Sequence, residues 1–182
     1  MPGCPDSPAP ATAIIGLGNT ILGDDGVGIH VARAVARRLP SHGYALVEAG
    51  VTGLRLLPLL EGWQRVIIID AVLPSGAGAP CLGRLHRLTP DALASAVTLT
   101  STHDLGLADA LALGERLGMS LPREVTIFGV EVEDPFTFGE ELSPELAACV
   151  EWVAAEIARE CEGPPGEPRA CGQEPEAPGR SG

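Results

Sequence analysis

A glycine-rich turn between a strand-like and a helix-like segment constrains this chain more than any other feature. Apolar residues 13–15 run into a stretch, residues 16–28, that reads Gly-Leu-Gly-Asn-Thr-Ile-Leu-Gly-Asp-Asp-Gly-Val-Gly. A helical period follows over residues 25–39. Its apolar face is formed by Val27, Val31, Ala34 and Val35. A strand that passes through such a turn into a helix is typical of the first unit of an α/β fold.

Strand and helix patterns alternate along the rest of the chain. Strands are predicted at residues 13–17, 44–48, 65–71 and 124–130, with an edge strand at 83–88. Further helices are predicted at residues 54–60 and 101–117, and after the Ser-Pro-Glu start signal at residues 143–145. This alternation predicts an α/β fold, a three-layer α/β/α sandwich with a mostly parallel central sheet of about five strands.

The length and local composition predict one domain with two tails. Residues 1–12 are rich in Pro and Ala, and residues 162–182 are rich in Pro, Gly and Glu. Such segments bury too little apolar surface to fold alone, so both are expected to be disordered. The folded domain is therefore predicted at residues 13–161.

Charge excludes several classes of function. The chain carries 24 acidic and 12 basic residues, a net charge of −12, and all its basic residues are arginine. This balance argues against binding to nucleic acid or to an anionic membrane surface. The apolar runs are also too short to span a membrane, which argues against insertion. Without lysine, P-loop, Schiff-base and kinase chemistry are excluded. Five irregularly spaced cysteines and the lack of a signal sequence predict a cytoplasmic protein with reduced thiols, which we expect to be a monomer.

Three polar stops interrupt the apolar segments. They are Asp24-Asp25 in the glycine turn, Asp70 after a run of isoleucines, and Ser101-Thr102-His103. Because strand ends in a parallel sheet gather at one edge, these side chains are expected to meet there. Two carboxylates and an imidazole therefore predict a metal site at this edge of the sheet.

Each stop also has a simpler interpretation. Asp24 can cap the helix that follows, and Asp70 can cap a loop. Ser101 and Asp104 have capping-box spacing, which predicts His103 in the first turn of a helix, with a neutral ring. A histidine in that turn can equally be solvated.

A dinucleotide site is a further alternative for the glycine turn. Gly16 and Gly18 begin the pattern G-x-G-x-x-G, and Glu48 can imitate the acid that binds ribose. Two carboxylates at the helix start would repel a pyrophosphate, which argues against this hypothesis.

The remaining polar residues are given ordinary roles. The other histidines are interpreted as surface residues: His30, His42 and His86. One acidic group is interpreted as a solvated rim, with docking of a basic substrate as the alternative: Glu131, Glu133, Asp134, Glu140 and Glu141.

Four segments in order resemble the [NiFe]-hydrogenase maturation proteases, from Ile14 to about Ile157. The motifs are Gly16-x-Gly18-Asn19-x-x-x-x-Asp24-Asp25-Gly26-x-Gly28, Ile69-Asp70-Ala71, Ser101-x-His103-x-Leu105-Gly106-Leu107-Ala108-Asp109, and Gly129-Val130-Glu131 leading to Gly139-x-x-Leu142-Ser143-Pro144.

The resemblance implies an endopeptidase that removes the C-terminal extension of a hydrogenase large-subunit precursor after nickel insertion. It implies that Asp25, Asp70 and His103 form the catalytic, metal-binding trio. The nickel would come with the precursor, and zinc or another divalent ion could replace it in vitro. We expect four residues to face the substrate or support the trio: Asn19, Asp24, Glu48 and Ser101. The alternative is a non-catalytic nickel-binding maturation chaperone on the same fold.

Overall fold

The computed structural model describes residues 12–40, 42–51, 53–74, 81–90, 99–101 and 106–162. The predicted tails therefore lie almost entirely outside the described residues. Within these ranges, no helix is both long and apolar enough to span a membrane.

A central sheet organises the chain. Its strands are β1 (Thr12–Leu17), β2 (Tyr44–Ala49), β3 (Arg65–Pro74), β4 (Leu85–Leu88), β5 (Leu99–Ser101) and β6 (Glu124–Glu131). The main order is β2-β1-β3-β6-β4, and β5 pairs with the end of β3. The pairs among β1, β2, β3 and β6 are parallel, whereas β4 and β5 are antiparallel to their neighbours. The mostly parallel sheet and the predicted edge strand are confirmed.

Helical elements cover both faces of the sheet. Among the described residues they are α1 (Val27–Arg38), α2 (Leu57–Leu60), α3 (Leu107–Arg116) and α4 (Pro144–Cys161), with 3₁₀ turns at Gly23–Gly26 and Gly53–Leu56. Ile14 packs in one buried cluster with α1 and α4, while its neighbour Ile15 packs in a second cluster with α2 and α3. Because successive strand residues face opposite sides, both faces must be apolar, and the predicted three-layer sandwich is confirmed.

The predicted helix over residues 101–117 is wrong at its start. Ser101 is the last residue of β5 and pairs with Val72, and α3 begins only at Leu107, after Gly106. The reason lies in β3, which continues for five residues past Ile69, the last of its residues that pairs with β1. This overhang has an open edge, and β5 pairs with it.

Candidate functional site

Asp25 lies in the 3₁₀ turn that precedes α1, and its side chain is buried. Its Oδ2 accepts a hydrogen bond from the backbone N–H of Asn19 at 2.8 Å. Its own N–H donates to the carbonyl of Leu22 at 3.2 Å. Gly18 has φ +147°, and a Cβ there would lie 2.3 Å from the carbonyl oxygen of Asp25. The turn therefore closes tightly around Asp25 because Gly18 has no side chain.

Gly28 presses the start of α1 against the sheet. A Cβ at this position would lie 2.2 Å from the carbonyl oxygen of Leu17 and 2.4 Å from that of Ile69. The first turn of α1 thus rests directly on the ends of β1 and on β3. Gly18 and Gly28 of the sequence motif therefore have a packing role. This packing brings the turn that carries Asp25 against the strand that carries Asp70.

Asp70 is completely buried within β3. It is the first residue of this strand past the pairing with β1, and on the other side it is in register with Gly129 of β6. Its Oδ1 accepts a hydrogen bond from the backbone N–H of Ala71 at 2.9 Å. The strand continues to Pro74, so Asp70 lies before its end but at the point where α1 approaches.

His103 lies outside the described residues, in the gap at 102–105. The chain enters this gap from Ser101, whose backbone pairs with Val72, two residues beyond Asp70 on β3. The start of α3 at Leu107 removes the predicted capping box, so a first-turn position no longer accounts for a neutral His103 ring. Among the residues that are described, no group of three His, Cys, Asp or Glu side chains is arranged to hold a metal.

Asp24 has a different partner from the one its position predicts. Its side chain does not cap α1, which begins after Gly26 without a side-chain cap. Its Oδ1 accepts from the N–H of Ser143 at 2.7 Å, and its Oδ2 accepts from the hydroxyl of Ser143 at 2.9 Å. The capping interpretation of Asp24 is therefore wrong, and the buried carboxylate joins the glycine turn to the start of α4.

Asn19 shapes the same turn through both its backbone and its side chain. While its N–H donates to Asp25, its Oδ1 accepts from the N–H of Ile21 at 3.2 Å. Its carbonyl accepts from the N–H of Leu22 at 3.0 Å. Asn19 thus holds the loop around Asp25.

Comparison with known proteins identifies the family. The family model for hydrogenase maturation proteases matches residues 29–160 of the chain. The chain belongs to the hydrogenase maturation protease family. Asp70 and His103 fall inside the matched residues, and Asp25 lies just before them.

Individual relatives agree with this assignment. The maturation protease is 31% identical to the hydrogenase expression/formation protein HupD of Rhodobacter capsulatus, over 81% of this chain and 69% of that protein. Its fold is similar to the [NiFe] hydrogenase maturation protease HybD from Thermococcus kodakarensis, with TM-score 0.62 and 28% identity, over 84% of this chain and 99% of that one. It is also similar to the hydrogenase maturating endopeptidase HybD from Escherichia coli, with TM-score 0.64 and 26% identity, over 83% of this chain and 93% of that one. The resemblance in the motifs and the interpretation as an endopeptidase are confirmed.

Glu48 of this maturation protease forms an ion pair. Both its carboxylate oxygens accept from the guanidinium of Arg33 on α1, each at 2.7 Å. The hydrogen bond from Arg33 lowers the pKa of Glu48, and the same contact raises the pKa of Arg33. This bidentate pair fixes the end of β2 to α1, and because both side chains are exposed its contribution to stability is at most about 1 kcal/mol.

Glu131 is buried, which its place in an acidic stretch of sequence does not predict. It is the last residue of β6, and its Oε1 accepts from His86 Nε2 at 2.7 Å while its Oε2 accepts from the N–H of Cys81 at 2.8 Å. Arg84 Nη1 lies 3.8 Å from Oε1. The interpretation of Glu131 as part of a solvated rim and of His86 as an ordinary surface residue is therefore wrong. Only the antiparallel pairing of β4 with β6 brings these residues together, and residue spacing alone does not reveal it.

Proposed function

We propose that this maturation protease removes the C-terminal extension of a [NiFe]-hydrogenase large-subunit precursor after nickel has been inserted, and that Asp25, Asp70 and His103 engage that nickel. The observation that carries the proposal is the packing of the turn with Asp25 against the strand with Asp70. Both side chains are buried, on elements in direct contact. Buried carboxylates gathered at one sheet edge are suited to a cation and disfavour an anionic ligand.

The donor chemistry supports nickel as the feature that is recognised. Carboxylate oxygens and a neutral imidazole nitrogen are donors that nickel and zinc both accept. Three protein donors leave coordination positions for the ligands that the precursor itself supplies. Nickel in this proposal belongs to the substrate, and zinc or another divalent ion could take its place in vitro.

A shared ion would make processing depend on nickel insertion. A loaded precursor presents an ion to the two carboxylates and the imidazole, whereas an unloaded precursor leaves the buried carboxylates without it. Binding of the loaded form is therefore favoured. An ion held between the two proteins would keep the C-terminal segment at the sheet edge and polarise a carbonyl or a water for cleavage.

The decisive experiment compares two forms of one precursor. The purified chain is incubated with the large-subunit precursor from the organism that encodes it, either loaded with nickel or free of it, and the mass of the precursor is measured. We expect loss of the C-terminal extension from the loaded form only. An unchanged mass for both forms would overturn the proposal, and binding without a change in mass would favour the chaperone alternative. Equal cleavage of both forms would remove nickel from the recognition step.

A further inference from the structure

An exposed apolar patch lies beside the turn that carries Asp25. We call the side chains of Ile21, Phe136 and Phe138 the aromatic patch. Their exposed fractions are 54%, 70% and 81%. Phe136 and Phe138 are two of only three phenylalanines in the chain, and the third, Phe128, is buried in the core. Exposed aromatic side chains close to a functional site are typical of a protein-binding surface.

Backbone pairing joins the two halves of this patch. Leu22 forms an isolated parallel bridge with Gly139. The N–H of Gly23 donates to the carbonyl of Gly139 at 2.7 Å, and the N–H of Gly139 donates to the carbonyl of Ile21 at 3.1 Å. Ile21 and Phe138 each directly precede a bridged residue, so the parallel register sets them side by side on the same face.

The loop that carries both phenylalanines is held at its two ends. At one end, Asp134 Oδ1 accepts from the N–H groups of Phe136 and Thr137, and Oδ2 accepts from the Thr137 hydroxyl at 2.5 Å. At the other end, Ser143 is bound to Asp24. A preformed loop loses little conformational entropy when a partner binds, so the patch is suited to docking.

The same contacts connect the patch to the candidate site. The backbone N–H of Ile21 donates to Asn19 Oδ1, and the backbone N–H of Asn19 donates to Asp25 Oδ2. Ile21 and Asp25 are therefore parts of one hydrogen-bonded turn, and the bridge to Gly139 sets Phe138 beside Ile21. A segment docked on the patch then lies beside the edge where cleavage is proposed.

The charge around the patch selects the partner. Four exposed acids flank the two phenylalanines: Glu133, Asp134, Glu140 and Glu141. Residues 124–143 contain no arginine or lysine, and the whole chain carries a net charge of −12. A second copy of the chain would bring these acids against one another, whereas a basic partner would neutralise them.

We propose that the aromatic patch docks an apolar segment of the large-subunit precursor that is flanked by arginine or lysine residues. This inference rests on the proposed function and adds a recognition surface outside the metal-binding trio. The apolar side chains of the precursor cover Phe136 and Phe138, and its basic residues face the acidic rim.

Photo-crosslinking tests the contact without depending on cleavage. The full chain is prepared with Phe138→benzoylphenylalanine and, as a matched control, with Leu117→benzoylphenylalanine. Leu117 is 66% exposed and follows the end of α3. With the nickel-loaded precursor we expect a crosslink from position 138 and none from position 117. A crosslink from position 138 only to the chain's own tail or to a second copy would overturn the docking proposal, as would equal crosslinking from both positions.

Kinetics separates docking from proteolysis. For Phe136→Ser combined with Phe138→Ser, we expect KM for the precursor to rise about tenfold with kcat nearly retained, because aromatic anchors dominate interface affinity. Leu117→Ser should leave KM unchanged. Glu140→Gln with Glu141→Gln should weaken the salt dependence of binding. Cleavage with an unchanged KM in the phenylalanine variant would overturn docking and leave the proposed function standing. Crosslinking without cleavage would support docking and overturn the proposed proteolysis.

Discussion

Asp24 receives both hydrogen bonds that Ser143 can donate at the start of α4, from a position 119 residues earlier in the chain. The contact binds the glycine turn before α1 to the N-cap position of α4, so two helices on one face of the sheet are fixed to each other at the candidate site. Asp24 therefore has a defined structural role next to Asp25, whose proposed role is chemical.

Replacing Asp24 should weaken the connection between the glycine turn and the start of α4. We expect Asp24→Ala to lower the free energy of unfolding by about 1–3 kcal/mol, because the N–H of Ser143 loses its acceptor in a partly buried position. Asp24→Asn keeps one acceptor oxygen and should cost less. Urea denaturation measures both, with Glu141→Ala as the control at an exposed acid. Equal stability of Asp24→Ala and the control would show that the contact contributes nothing.

Substitutions in the proposed trio should abolish most of the cleavage activity while the protein still folds. Asp25→Asn, Asp70→Asn and His103→Ala should each reduce cleavage of the nickel-loaded precursor by about 100-fold or more, since even residues that only support metal ligands are worth about 10–100-fold. His42→Ala, at an exposed histidine, is the matched control. Circular dichroism checks the fold. Full activity in a variant would remove that residue from the mechanism.

His30 gives the stability a dependence on pH. Burial, together with the nearby positive charge of Arg33, lowers the pKa of His30 below its usual 6.5, although Glu48 opposes the shift. The unfolded chain therefore binds this proton more readily, and the folded state loses stability as the pH falls below about 6.5.

Replacement of His30 tests this dependence. The loss of stability in urea between pH 7.5 and pH 5.5 should be smaller for His30→Gln than for the unmodified chain. His42→Gln, at the exposed histidine, should behave like the unmodified chain. An identical pH dependence in all three proteins would contradict the prediction.

Gly28 should tolerate no side chain. An alanine there would place its Cβ against two backbone carbonyls of the sheet, which cannot move aside as a flexible side chain can. Although alanine favours a helix by about 1 kcal/mol over glycine, the clash is larger, and we expect a net loss of about 3 kcal/mol. Gly139→Ala is the control, because its Cβ would meet nothing closer than 3.8 Å. Thermal unfolding compares them, and similar midpoints would refute the packing argument.

The fold was predictable where burial imposes a pattern over many residues. The isoleucine run of β3 and the apolar face of α1 are set by contacts on both sides of the sheet, and their sequences record this. The three-residue strand β5 leaves no comparable pattern. It forms because the overhang of β3 provides an edge, and the length of β3 is not visible in the sequence of residues 99–101.

The candidate site shows the same division. The sequence predicts that Asp25 and Asp70 lie near each other because both interrupt apolar segments at strand ends, and the turn of Asp25 does contact β3. The partners of Asp24 and Glu131 depend on side-chain direction and on the pairing of distant elements. A short polar side chain near a helix start has the same sequence signature whether it caps that helix or binds the beginning of another one.

The carboxylate of Glu131 should contribute to stability, because it joins β6 to β4 and to the segment that leads into β4. We expect Glu131→Ala to lower the free energy of unfolding by about 3 kcal/mol, since His86 and the N–H of Cys81 both lose a charged acceptor. Glu131→Gln keeps one acceptor oxygen and should lose roughly half as much. Glu133→Ala, two residues along and exposed, should change stability by less than about 0.5 kcal/mol. If urea denaturation gave Glu131→Ala the same stability as Glu133→Ala, the carboxylate would have no structural role, and the burial of an acid at this edge would call for a functional explanation instead.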